Sequence, residues 1–175
     1  STQSFTQNYN ATKSIPVPTR SGYTFAGWSK SGNNGSLSST TSSATYTFGA
    51  TDGATDTLTA TWVANSSLQT VYVRYQNSDG SWGSYSTVIN SYYDDGEYVS
   101  WSRSADAQYK AASIGYYVSG TKTSYVDVER QRYNVTLNRG TGISNVTGGG
   151  SYYYGQSCTI NATVNTGYTW VNWTG

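Results

Sequence analysis

The side chains in this sequence that could do chemistry are few: nine Asp and Glu, ten Lys and Arg, one Cys and no His. Without an imidazole, Ser and Cys nucleophiles lose their usual base, and zinc would have to be held almost wholly by carboxylates. Carboxylates gather in two places, Asp94, Asp95 and Glu97, and Asp52 with Asp56. Both groups offer oxygens of the kind calcium takes, but neither follows a calcium-loop spacing, and Asp-Asp-Gly is ordinarily a turn. A glycosidase pair must face across a cleft, which neighbours on one turn cannot do. The expectation is a non-enzyme with no catalytic residue, no metal site and no cofactor. Lys13, Lys30, Lys110 and Lys122 are the amines available for an amide cross-link to Asn or Asp, though no local motif marks a pair. Cys158 has no second cysteine to join, and its neighbours Ser157, Thr159 and Ile160 suggest a strand position with a buried, inert thiol.

Aromatic side chains are the other resource, with 18 Tyr and 6 Trp. Exposed rings can stack on the apolar faces of sugars, whereas buried ones fill a core and keep a polar tip near water. Tyr23 with Trp28 and Tyr168 with Trp173 recur at equivalent places in a repeated motif, which favours core. Trp82, on a Gly-flanked hairpin, and Tyr92 and Tyr93, beside a turn, are the candidate ligand-binding residues. Lys and Arg are scattered and the net charge is +1, so no nucleic-acid partner is expected. No run of 18 apolar residues occurs, so this segment inserts in no membrane. The chain opens at Ser1 with neither an initiator Met nor a signal-like stretch, and is expected to be a processed or excised piece of a secreted protein.

The elements that must position these residues are strands. Tyr, Trp, Thr and Val suit a pleated surface, and the 19 Gly with Asn and Asp supply turns. Leu58, Ala60 and Trp62 alternate with Thr57, Thr59 and Thr61; Val71, Val73 and Tyr75 alternate likewise, as do Val126 and Val128 against Asp127 and Glu129. Turns are marked by Asn34-Gly35, Asp52-Gly53, Asp79-Gly80, Asp95-Gly96 and Ser119-Gly120, of which Asp79-Gly80 most resembles a tight hairpin. Only Ser104 to Ser113, rich in Ala, could hold a helical turn. The fold class is therefore all-β to β-rich α+β.

Internal similarity divides the chain. Gly22-Tyr23-Thr24-Phe25-Ala26-Gly27-Trp28 returns as Gly167-Tyr168-Thr169-Trp170-Val171-Asn172-Trp173, and Ser91-Tyr92-Tyr93-Asp94-Asp95-Gly96-Glu97 returns as Ser151-Tyr152-Tyr153-Tyr154-Gly155-Gln156 with one residue fewer. Three modules follow, residues 1–65, 66–131 and 132–175. Linkers this short would make an elongated, semi-rigid array.

Pro16-Val17-Pro18-Thr19-Arg20-Ser21 followed by the Gly22 to Trp28 motif, with Leu58-Thr59-Ala60-Thr61-Trp62 after it, resembles the Listeria–Bacteroides repeat, also called the internalin B-repeat. Residues Leu137 to Gly142 and the Gly-Tyr-Thr-Trp motif make the third module similar to the divergent version of that family, while the middle module is close to neither. The resemblance implies tandem small β-grasp-like modules of bacterial surface proteins, extracellular, with structural or adhesive roles and no catalytic residues. The first module departs from the pattern by lacking a first strand, since Ser1 to Asn10 offers only Phe5 and Tyr9, and the third is truncated at Gly175. Neighbouring copies could complete each other by strand addition. The expected function is a structural segment of a surface stalk, adhesin or extracellular fibre, its partners being adjacent repeats or copies of itself. The alternative is an adhesive module that binds a glycan or protein through exposed Tyr and Trp.

Overall fold

Alternation of aromatic and β-branched residues with Ser and Thr becomes strand throughout. The computed structural model describes residues 3–175, which hold fourteen strands and no helix. The all-β form of the expectation is the one the structure takes. Two compact units divide these residues, one reaching from the N-terminal side to Leu68 with Tyr92–Glu97 and Tyr117–Thr121, the other comprising Gln69–Ser91, Tyr98–Tyr116 and Lys122–Gly175.

The first unit contains β1 (Thr12–Ile15), β2 (Tyr23–Ser31), β3 (Ser36–Leu37), β4 (Ala44–Thr47) and β5 (Thr57–Ala64). β4 lies between β1 and β3 and is antiparallel to both, while β2 runs antiparallel to β5 from Tyr23 opposite Ala64 to Ser31 opposite Thr57. Leu58, Ala60 and Trp62 are the half-buried positions of β5 and its Thr residues face water, as their alternation predicts. Phe25 packs edge-on against Trp28 and Trp62, with ring centroids 5.3 and 5.8 Å away. A bulge between Phe25 and Gly27 sets this arrangement. Gly27 is required there: its φ is 149°, and a Cβ would sit 2.7 Å from the Thr40 carbonyl oxygen.

The second unit is built on β6 (Ser66–Tyr75), flanked in its sheet by β7 (Ser86–Asp94) and β10 (Lys122–Val128). β6 and β10 are parallel, with Tyr72 opposite Tyr125, Val73 opposite Val126 and Arg74 opposite Asp127. Alternation sends Val71, Val73, Val126 and Val128 to one face, where all are buried. A two-stranded sheet of β8 (Tyr98–Arg103) and β9 (Ala112–Tyr117) supplies Trp101, Ala112 and Ile114 against these valines, joined by Tyr75, Ile89 and Tyr109. Parallel strands are usually covered on both faces; this pair is lined with apolar side chains on one.

The remaining strands are β11 (Arg132–Val135), β12 (Ile143–Thr147), β13 (Gly150–Tyr153) and β14 (Asn161–Val164), with β11 antiparallel to β13 and β12 to β14. This interleaved scheme is that of β1 with β4 and β2 with β5. The agreement reaches single bonds. Tyr23 N–H donates to the Arg20 carbonyl at 3.2 Å and Asn65 N–H to that of Gly22 at 2.9 Å; Ile143 N–H donates to Gly140 at 3.3 Å and Asn165 N–H to Gly142 at 2.9 Å. Both second strands are bulged near their start.

The helical turn expected within Ser104 to Ser113 does not form. Asp106 Oδ1 accepts the Gln108 and Tyr109 N–H groups, each at 2.8 Å, so a side chain holds the segment as a turn.

Val73→Ala removes packing from a fully buried site, and urea unfolding should show a loss of about 2–3 kcal/mol. Val88→Thr, at an exposed position of β7, should stay within about 0.5 kcal/mol of the parent.

Candidate functional site

The hairpin around Asp79-Gly80 forms as a three-residue loop closed by Asn77 N–H to the Ser81 carbonyl at 2.8 Å, and it brings Trp82 beside Gln76. Trp82 is half-buried: the Arg74 guanidinium lies over its ring at 4.7 Å and equally near the ring of Tyr85. Arg74 Nε and Nη2 donate to Asp127 Oδ1 and Oδ2 at 2.7 and 2.8 Å, and the Tyr85 hydroxyl donates to Asp127 Oδ1 at 2.8 Å. The hydrogen bonds from Arg74 hold the Asp127 carboxyl below its ordinary range, and the bond to Asp127 pushes the Tyr85 phenol up. Tyr125 stacks on Tyr72 at 5.4 Å and meets Tyr85 edge-on at 5.0 Å.

Of this cluster the sequence reading named Trp82 alone as a binding residue. The missed signal is a matched pair of tripeptides, Tyr72-Val73-Arg74 and Tyr125-Val126-Asp127. Each puts an aromatic and a charge on one strand face with Val on the other, and the two charges are opposite. Tyr92 and Tyr93 lie on β7, Tyr92 exposed and Tyr93 half-buried on the opposite face, so the two rings form no common platform. They belong to the first unit and Trp82 to the second.

Glu97 and its neighbours have a local task. Glu97 N–H donates to the Asp94 carbonyl at 3.0 Å while Glu97 Oε2 accepts the Asp94 N–H at 2.8 Å. The repeated motif does the same without charge: Gln156 N–H donates to the Tyr153 carbonyl at 2.9 Å and Gln156 Oε1 accepts the Tyr153 N–H at 2.9 Å. Gly96 and Gly155 take the left-handed conformation at the same place, with φ of 92° and 74°. A neutral amide replaces the carboxylate with the turn intact, so the acid serves turn closure.

Asp56 is the most enclosed carboxylate of the two acidic groups, its side chain 2% exposed, whereas Asp52 faces water. Asp56 takes Lys30 Nζ at 2.7 Å, the Tyr46 hydroxyl at 2.7 Å, and the Gly35 and Asn34 N–H groups at 2.8 and 3.1 Å. Burial alone would raise its pKa. Lys30, Tyr46 and the two backbone donors outweigh that and hold the carboxyl well below the usual range. Tyr46 is pushed up to about 12, by burial first and then by its bond to Asp56. An amide between Lys30 and Asp56 would need a protonated acid, the reverse of what this site favours. Lys110 pairs with Glu129 at 2.6 Å, and Lys13 and Lys122 lie over the rings of Phe5 and Tyr116. No group of three or more His, Cys, Asp or Glu converges on a point among the described residues.

Two expectations of burial are corrected. Cys158 is exposed, because it falls on the connection between β13 and β14 and not on a strand. Tyr168, Trp170 and Trp173 are exposed as well, at 55%, 40% and 36%. The segment starts with the turn of the first copy, Tyr168 N–H donating to the Asn165 carbonyl at 3.2 Å as Tyr23 does to Arg20. No described strand lies beside it, however, whereas β5 lies along β2 for its whole length.

Thermal melts across pH test the Asp56 centre. A lowered folded-state pKa means that its contribution is complete above the unfolded value of about 3.9 and is lost as pH falls through the folded one. Asp56→Asn should cost about 3 kcal/mol at neutral pH and flatten the acid limb. Tyr46 works oppositely, its contribution being present below about 10 and lost as pH rises towards about 12. Tyr46→Phe should lower stability by about 2 kcal/mol at neutral pH and reduce the alkaline loss. Intact-mass measurement should return the sum of the sequence, with neither water nor ammonia missing.

Residues 133–175 match the family described as the divergent InlB B-repeat domain, whose members are repeats of bacterial surface proteins. The match spans β11 to β14 and the segment from Gly167 to Gly175. No curated protein and no solved structure matches the chain. No helix among the described residues is long and apolar enough to cross a membrane.

Proposed function

We propose that this chain is a structural repeat segment of an extracellular stalk, adhesin or fibre on a bacterial surface, without catalytic activity of its own. The observation that carries the reading is the repeated pairing scheme. Leaving aside the two-residue β3, first strand with third and second with fourth, entered through the same turn, occur in β1, β2, β4 and β5 and again in β11 to β14, the latter within the residues that match a surface-repeat family. A module reproduced by backbone hydrogen bonds while its side chains diverge is selected for shape, which is what a spacer requires.

Strand complementation is the assembly mode that fits the exposed motif. Gly167 to Trp173 has the sequence pattern and entry turn of β2 but no partner strand among the described residues, so a strand patterned like β5 would pair with it and cover Trp170 and Trp173. Such a strand can come from an adjoining repeat or from a neighbouring copy of the chain.

Light scattering over a wide concentration range tests exchange between copies, with a ladder of oligomers expected. Addition of a synthetic peptide spanning Thr57 to Ala64 should shift Trp emission to the blue and suppress that ladder. A strictly monomeric chain whose emission ignores the peptide would end the complementation reading and leave the repeat reading standing.

A further inference from the structure

We propose that the outer face of the parallel β6–β10 pair is a docking surface for a neutral polysaccharide. Water-facing strand positions are ordinarily filled by Thr, Lys or Glu. Thr123 fits that pattern, but the next two positions of the two strands carry Tyr72, Arg74, Tyr125 and Asp127, and the connection from β6 to β7 adds Trp82 and Tyr85.

The cluster is open and yet fixed. Tyr125 is 60% exposed and Tyr85 39%, but the register, the two-pronged ion pair and the Tyr85 hydroxyl bond hold each group in one place. A surface ion pair contributes only about 0–1 kcal/mol to folding, so stability does not account for this order. A preformed surface does lower the entropy lost when a ligand settles on it.

The chemistry on offer selects the ligand. Arg74 and Asp127 cancel in charge, which gives a polyanion nothing to hold. Their mutual bonds use Arg74 Nε and Nη2 and leave Nη1 as a donor, while Asp127 Oδ2 accepts one bond and can accept another. A donor and an acceptor side by side fit the two hydroxyls of a vicinal diol. The exposed ring surface of Tyr125 and Tyr85 beside them suits the C–H face of a pyranose. Protein interfaces place their charges at the rim and keep their centre apolar; this face has its ion pair among its rings, so a sugar chain fits it better than a protein.

The test uses the full chain against neutral hexasaccharides of glucose, mannose, xylose and N-acetylglucosamine, followed by calorimetry and Trp emission. Saturable binding to at least one is expected, insensitive to salt. Tyr125→Ala and Asp127→Asn should each weaken it about tenfold, equivalent to 1.4 kcal/mol, with an unchanged circular dichroism spectrum. Tyr125→Phe keeps the ring and should keep the affinity, and Tyr92→Ala should change nothing. Absence of binding to all four at millimolar concentration overturns the proposal, as does binding that survives Tyr125→Ala. Loss of self-association in Tyr125→Ala, with no sugar binding in the parent, would assign the face to a protein contact and overturn it equally.

Discussion

The parallel register of β6 with β10 is the constraint on which the second unit depends. It places Val71 and Val73 beside Val126 and Val128 on one face and, by the same stroke, Tyr72 and Arg74 beside Tyr125 and Asp127 on the other. A slip of one residue would send valines to water and an ion pair to the core. The outer cluster and the core are thus two results of a single alignment. The buried valines specify the register more strongly than the exposed ion pair can, because burial of each side chain is worth about 1.5–3 kcal/mol.

The first unit and the β11 to β14 region rest on a different economy. Their second strands begin at a turn whose bonds join backbone to backbone, from Arg20 to Tyr23 and from Gly140 to Ile143. Such bonds do not read side chains, so Tyr23, Thr24 and Phe25 can be exchanged for Ile143, Ser144 and Asn145 while the pairing persists. Enclosure is then left to a few points. Asp56 is one, gathering Lys30, Tyr46 and the Asn34 and Gly35 amides from separate segments.

How much of this was legible in the sequence follows from the range of each interaction. Alternation is local, and β5, β6 and β10 carry it where Leu58, Val71 and Val126 predict. The Asp94 to Glu97 and Tyr153 to Gln156 turns are also local, and their similarity is visible in sequence and in bonds alike. The equivalence of Gly142 with Gly22 was hidden, since it is written in the backbone. Trp82 was named but its companions were not, because Asp127 reaches Arg74 across 53 residues. Ala content suggested a helix at Ser104 to Ser113, and one Asp side chain overrode it. Cys158 was expected inside because its neighbours read as strand, and Trp173 because its motif recurs, yet neither lies on a strand.

The parallel pairing also has a mechanical consequence. In a parallel pair the start of one strand and the end of the other lie at opposite ends of the ladder, so tension applied between Ser66 and Val128 runs along both strands. The backbone bonds from Gln69 opposite Lys122 to Tyr75 opposite Val128 are then loaded together in shear, where an antiparallel hairpin pulled at its open end would unzip one rung at a time. A clamp of this geometry yields only when the whole row gives way.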